Sequence, residues 1–246
     1  MLNQPTLQKL QALRLSAFAR AWEEQQKLAD MSSLAFDERL ALLVEAEWLA
    51  RENARIGRNL REAKLRISGA CVEDIDFTAK RELDKPLVRQ LAQCRWVEEK
   101  QNIVITGMTG TGKTYLACAL AQAAIRRGHR VLYRRAPRLL EELALAHAEG
   151  SFAAFLSRLA RVDVLVIDDW ALAPIKDGER RDMLEVFEDR YGARSTIIAS
   201  QLPTTKWHDH LGDPTVADAI CDRVLHRAHR LTVKGPSRRK EENPST

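Results

Sequence analysis

The chain has 246 residues, 45% of them apolar and 30% charged, with 39 Lys and Arg against 34 Asp and Glu for a net charge of +5. That length suits one large domain or two small ones around a real core. It excludes a wholly disordered, collagen-like or disulfide-dense chain, and the basic surplus tilts toward an anionic partner, nucleic acid or nucleotide. No apolar run reaches the length of a membrane span, and MLNQPTLQKL lacks the basic-then-apolar pattern of a leader. Cys71, Cys94, Cys118 and Cys221 are far apart and form no CxxC pair, so the expectation is a reducing cytoplasm with no metal cluster and no disulfide framework.

In chain order, residues 5–29 and 36–66 are rich in Leu, Ala, Glu, Gln and Arg, and apart from Pro5 lack Gly and Pro until Gly57, which is helix composition. Leu10, Leu13, Ala17 and Ala21 recur at helical spacing, and the stretch 31–36 breaks this first helix. From Asp37 a long second helical pattern runs to about residue 66. Leu49, Ile56, Leu60 and Ala63 fall on one side of it. Arg51, Arg55, Arg58 and Arg66 fall on the other, with Arg61 near the edge. This stripe reads equally as a solvated helix face and as a track for DNA phosphates. Residues 67–100 read as a connector with a short helical pattern near 86–94.

From about 101, short apolar runs alternate with helices. Strands are expected at 102–106, 131–135, 162–168, 195–200 and 230–234, and helices at 114–127, 137–148, 152–161, 179–191, 204–211 and 214–229. Strands alternating with helices imply a parallel sheet with right-handed crossovers. The polar tail 237–246 reads as disordered.

GMTGTGKT, Gly107 to Thr114, matches G-x-x-x-x-G-K-[ST] between the strand NIVIT and the helix YLACALAQAAI. Gly107, Gly110 and Gly112 permit backbone angles and approaches that a Cβ blocks. The loop amides and the helix N-terminus then face phosphates. Lys113 neutralises β/γ-phosphate charge, and the Thr114 hydroxyl is a Mg²⁺ ligand. Met108, Thr109 and Thr111 supply backbone contacts, and Tyr115 follows at the start of the helix. VLVIDD ends an apolar strand with Asp168, suited to hold Mg²⁺, and Asp169, suited to orient the attacking water, at the sheet edge where ligands bind. Trp96 and Val97 precede the first core strand and are candidates to border the adenine. His208 and His210 form an HxH pair whose surroundings lack metal-ligand spacing. Trp22, Trp48 and Trp170 read as packing residues.

Taken together, ERLALLVEAEWLARENARIGRNLREAKL, the segment from RELDKPLVRQLAQCRW through the phosphate loop, VLYRRAPRLLEELALA, VLVIDDWALAP, TIIASQLPTTKWH and AICDRVLHRAHRL resemble the IstB-like ATPases. These are helper proteins of bacterial insertion sequences within the AAA+ group, near the helicase loader DnaC and the initiator DnaA. The resemblance covers roughly residues 5–235. It implies an α/β fold: a three-layer αβα AAA+ P-loop core with a parallel sheet, its phosphate-loop strand central, an all-α N-terminal domain, and no large C-terminal lid. The implied organisation is a helical DNA- and partner-binding domain at 1–68, a connector at 69–100, the ATPase core at 101–235 and a tail at 236–246.

It further implies an ATPase that self-assembles with ATP and Mg²⁺ into a homo-oligomer on double-stranded DNA, with little sequence preference. Such a protein serves an IstA-type transposase, uses hydrolysis to disassemble, and needs no membrane. By the same resemblance Gln201, with Ser200 as its neighbouring alternative, is the polar sensor near the γ-phosphate. Arg223, with Arg227 and Arg230 close by, is the arginine finger for a neighbouring subunit. The chain departs from AAA+ habit in carrying Asp169 where Glu is common. It carries Ala171 where IstB-like chains often have Gly, which implies a stiffer loop. The alternatives are a DnaC-like helicase loader with the same core, and a small-molecule kinase using Arg134 and Arg135.

Overall fold

The computed structural model describes residues 4–28, 33–77 and 82–235, so the tail expected at 236–246 lies outside the described residues. The chain divides into two compact units, Met1–Arg58 and Asn59–Thr246.

The first unit holds α1 (Gln4–Ala12), α2 (Ser16–Gln25) and most of α3 (Phe36–Ala63). The first helical pattern is two helices rather than one, because Arg14 adopts a left-handed φ of 58° at the break. Glu47 of α3 caps α2: its carboxylate accepts from the backbone N–H of Ala17 and of Phe18, each at 3.0 Å, and from Arg51 at 2.7 Å. Ala19 and Leu43 are buried beside it. Phe36, Leu40, Val44 and Trp48, four apart along α3, are exposed. Trp48 is therefore not the packing residue expected of it. Residues four apart share one stripe of a helix, and α3 packs on α2 through a different stripe, that of Leu43 and Glu47.

The second unit contains α4 (Lys85–Leu91), α5 (Arg95–Glu98), β1 (Asn102–Gly107), α6 (Lys113–Arg126), β2 (Val131–Arg135), α7 (Ala136–Ala148), α8 (Phe152–Arg161), β3 (Val164–Trp170), α9 (Asp177–Arg190), β4 (Ser195–Ser200), α10 (Trp207–Leu211), α11 (Pro214–Leu225) and β5 (Ala228–Val233). A 3-10 turn, Thr204–Lys206, precedes α10. All strand pairings are parallel, in the order β2-β3-β4-β1-β5, so the phosphate-loop strand is interior with β4 at the centre. Near-continuous apolar runs in β1, β3 and β4 are what a parallel sheet covered on both faces requires.

The stretch expected to be a connector is instead part of this unit. Ala70, Val88, Leu91, Trp96 and Val97 are buried in it. Asp84 caps α4 by accepting from the Leu87 N–H at 2.9 Å, with Pro86 in the first turn. The helix expected to reach 229 stops at Leu225, because β5 already pairs with β1 from Ala228 opposite Asn102. Among the described residues no helix is long and apolar enough to cross a membrane.

Candidate nucleotide-binding site

Because all five strands are parallel, the C-terminal ends of β1, β3 and β4 lie along one edge. The phosphate loop, Asp168 and Gln201 therefore meet there from positions far apart in the chain. At Gly107, φ is 153° and a Cβ would run into the carbonyl oxygen of Val233; Gly110 and Gly112 have φ of 82° and 100°. Only glycine suits these positions without strain. The loop is drawn onto itself. Lys113 Nζ donates to the Met108 carbonyl at 2.8 Å and Thr111 Oγ1 to the same oxygen at 2.9 Å, while the Met108 side chain is exposed at the tip. The N-terminus of α6 opens at Lys113, directed at this loop.

Asp168 is buried and its carboxylate is held by three donors. Oδ2 accepts from Thr114 Oγ1 at 2.8 Å and from the Tyr133 hydroxyl at 2.7 Å, and Oδ1 accepts from the Asp169 N–H at 2.9 Å. A hydroxyl and a carboxylate oxygen at this separation form a hard-oxygen pair that fits Mg²⁺. No motif in the sequence marks Tyr133. Its phenol is pushed well above the ordinary value of 10 by burial and then by the Asp168 carboxylate. Only the pairing of β2 with β3 reveals it, since nothing in VLYRR points to a partner 35 residues away.

Asp169 sits in the bulge between Ile167 and Trp170, with a left-handed φ of 56°. Its carboxylate accepts from Arg135 Nε at 2.7 Å and pairs with Arg66 Nη1 at 3.7 Å. In this conformation it faces the end of β2. Gln201 Oε1 accepts from Thr109 Oγ1 at 2.7 Å, whereas Ser200 is buried and its hydroxyl donates to the Trp170 carbonyl at 2.8 Å. Of the two, Gln201 reaches the loop.

Tyr115 packs by the segment around Cys71. Its hydroxyl donates to the Cys71 carbonyl at 3.3 Å and accepts from the Cys71 N–H at 3.4 Å. The expectation for Trp96 and Val97 is corrected. Both are buried, and the Trp96 carbonyl accepts from Ser195 Oγ at 3.2 Å, at the first residue of β4. That is the opposite edge of the sheet from the phosphate loop, so they do not border a nucleotide bound there. The Tyr115 hydroxyl meets Cys71, 44 residues away in the chain, which no local motif marked.

Arg223, near the end of α11, also lies at that opposite edge. Asn102, at the start of β1, bonds to its carbonyl, and a six-residue strand spans about 17 Å. Its guanidinium donates to Glu188 at 2.6 and 3.3 Å and to Asp222 at 3.2 Å, and it lies over the Tyr191 ring at 5.7 Å. Arg223 therefore cannot reach the phosphate loop of its own chain. Arg227 and Arg230 are exposed nearby in sequence, Arg230 on β5.

The arginine stripe is also revised. Helix α3 stops at Ala63, with Lys64 at a left-handed φ of 52°, so Arg66 leaves the helix and pairs with Asp169 instead. Arg51 and Arg55 are exposed but bonded to Glu47 and Glu52, both at 2.7 Å, while Arg58 and Arg61 are exposed. Arg134 pairs with Glu142 at 2.8 Å and Arg135 with Asp169, which leaves the kinase reading no arginine pair committed to a substrate phosphate. His208 pairs with Asp218 and His210 with the Ala173 carbonyl. Among the described residues no group of three or more His, Cys, Asp or Glu gathers to hold a metal ion.

The model of the family described as IstB-like ATP binding protein matches residues 8–245. An insertion sequence ATP-binding protein of Sinorhizobium fredii is 44% identical over 242 residues, covering 98% of each chain. That of IS1162 from Pseudomonas fluorescens is 49% identical over 205 residues, covering 83% of this chain and 89% of its own. Among solved structures, the DnaC helicase loader superposes with a TM-score of 0.57 at 22% identity, over 67% of this chain and 97% of its own. DnaA of Aquifex aeolicus bound to AMPPCP does so with a TM-score of 0.57 at 22% identity, over 70% of this chain and 53% of its own. At these identities the two structures speak for the fold alone, an AAA+ P-loop core.

Proposed function

The chain belongs to the IstB-like ATP binding protein family, and from that premise we propose that it is an ATP-driven assembly factor that coats double-stranded DNA and presents it to a partner transposase of the IstA type. The observation that carries the reading is the division of labour between the two sheet edges. The phosphate loop, Asp168 and Gln201 stand at one, and Arg223 stands at the other, out of reach of its own loop. One nucleotide then needs two copies of the chain, which makes ATP the bond between subunits.

In this reading the loop amides and Lys113 hold the triphosphate, and Thr114 and Asp168 hold Mg²⁺, which would offset charge on the phosphates. Gln201 orients the water. Asp169, once its carboxylate leaves Arg135, accepts the proton as water attacks the γ-phosphorus, and ADP and phosphate separate. Arg223 of the adjoining copy stabilises the charge of the transition state. Hydrolysis removes the bridge and dissolves the assembly. DNA contacts fall to Arg51, Arg55, Arg58 and Arg61. Arg55 exchanges its partner Glu52 for a phosphate, a cheap exchange because surface pairs contribute little; Arg51 has to leave the buried Glu47 carboxylate, which keeps its bonds from the Ala17 and Phe18 N–H groups. Arg66, at Asp169, stands beside the hydrolytic edge instead.

Light scattering at low salt with duplex DNA, comparing ATP with ADP, tests this. Large protein–DNA particles with ATP alone are expected, lost in Lys113→Ala and shrinking steeply with added salt. A chain that stays monomeric and ignores DNA in both nucleotides refutes it and leaves the helicase-loader reading.

A further inference from the structure

Asn102 is the first residue of β1, the strand whose far end becomes the phosphate loop. Its side chain reaches three distant backbone groups. Nδ2 donates to the carbonyls of Arg223 at 3.2 Å and Val224 at 3.1 Å, and Oδ1 accepts from the Thr196 N–H at 2.9 Å. Its own N–H donates to the Arg227 carbonyl at 3.1 Å. A helix leaves its last four carbonyls without intrahelical donors. In α11, which ends at Leu225, Asn102 takes two of them from across the fold. The last turn of α11, and with it the backbone of Arg223, is thus fastened to the starts of β1 and β4.

We propose that Asn102 is a positioning residue for Arg223, setting the height at which the guanidinium is presented to the nucleotide of the adjoining subunit. The proposal rests on the reading of Arg223 as a residue acting in trans. The chemistry asks for an amide: two N–H donors and one carbonyl acceptor on a short side chain. Aspartate keeps the acceptor for Thr196 but turns a negative oxygen toward two helix-end carbonyls, which carry the negative end of the helix dipole. One six-residue strand therefore carries a chain's own nucleotide loop at one end and the fastening of its finger for the neighbour at the other. A shift of even 1 Å in a group that must meet a transition state lowers the rate severely.

The test uses the full chain, with ATP binding, thermal melting and steady-state hydrolysis measured for Asn102→Asp, Arg223→Ala and Lys113→Ala, alone and mixed pairwise. Asn102→Asp should bind ATP as the parent does and hydrolyse it about tenfold more slowly or worse. Mixing Asn102→Asp with Lys113→Ala should restore hydrolysis, because one supplies an intact loop and the other an intact finger. Mixing Asn102→Asp with Arg223→Ala should not, since neither supplies a finger. If Asn102→Asp melts early, Asn102→Thr, which keeps one donor and one acceptor in a strand-compatible side chain, goes through the same mixtures.

Parental hydrolysis by the Asn102 variants while Arg223→Ala is inactive overturns the proposal. So does a mixture with Lys113→Ala that stays inactive, because the defect is then not confined to the finger. Parental hydrolysis by Arg223→Ala overturns instead the trans reading on which the proposal stands.

Discussion

Ala171, two residues past the Asp169 carboxylate, holds a left-handed φ of 58°. A residue with a Cβ pays about 1–2 kcal/mol for that conformation, which is the physical reason for a glycine at such a place. Ala171→Gly should therefore stabilise the fold by about 0.5–1 kcal/mol, after the extra freedom of glycine in the unfolded chain is subtracted. A higher urea midpoint with an unchanged slope reports it. Tyr133 bears directly on the Asp168 carboxylate. Its hydroxyl is one of the three donors that fix the Asp168 carboxylate, and a hydrogen bond to a charged group is worth about 1.5–3 kcal/mol. Tyr133→Phe should raise the Mg²⁺ concentration for half-maximal hydrolysis about tenfold or more, while ADP binding without Mg²⁺ stays at the parental level. Equal losses in both would assign Tyr133 to packing alone.

Elements in this molecule are joined by charged side chains that answer the backbone groups their ends leave open. Arg190, the last residue of α9, is buried. Its guanidinium donates to the carbonyls of Leu159 at 2.6 Å and Val162 at 3.1 Å at the end of α8, to the Ser195 carbonyl at the start of β4, and to Thr196 Oγ1 at 3.2 Å. Arg190→Met would fill much of the volume and leave those acceptors unmet, at a cost of about 3–5 kcal/mol, read as a lower melting temperature. Lysine would do little better, since an ammonium cannot reproduce the fork. In the first unit Glu47 plays the converse part at the N-terminus of α2. The Arg51 hydrogen bond, followed by that from Phe18, holds its carboxyl below the ordinary value of 4.5. A depressed carboxyl stabilises the fold above that value and loses its contribution as pH falls through the folded-state value. Helical signal from residues 1–58 should decline in that acid range, and Glu47→Gln should flatten the decline.

The division at Arg58 and Asn59 falls within α3, well before the phosphate-loop strand. Everything from Asn59 onward belongs to the second unit, which carries the phosphate loop, including the Cys71 contact with Tyr115, the Ser68 carbonyl that accepts from Gln122, and the buried residues of α4 and α5. A chain of residues 59–246 should fold and show a melting temperature raised by ATP. A chain of 101–246 should not, because it loses Ala70, Val88, Leu91, Trp96 and Val97 from the core. Thermal shifts of the two with and without nucleotide decide the point.

The strands, the phosphate loop and Asp168 were legible in the sequence because their signals are local: an apolar run, glycines at fixed offsets, a carboxylate at a strand end. Strands 131–135 and 195–200 stand where the residue pattern placed them. What could not be read along the chain is what the sheet order decides. The order β2-β3-β4-β1-β5 sets Tyr133 against Asp168 and Thr109 against Gln201, and it puts Trp96 at the wrong edge for a nucleotide. The early end of α3 takes Arg66 from a supposed helix face to Asp169. Local conformations and the supply of chemical groups are written in the residues themselves, because they follow from near neighbours along the chain. Which groups meet depends on how the chain folds back, because hydrogen bonds such as that from Asn102 to Arg223 join residues more than a hundred positions apart, and no periodicity runs that far.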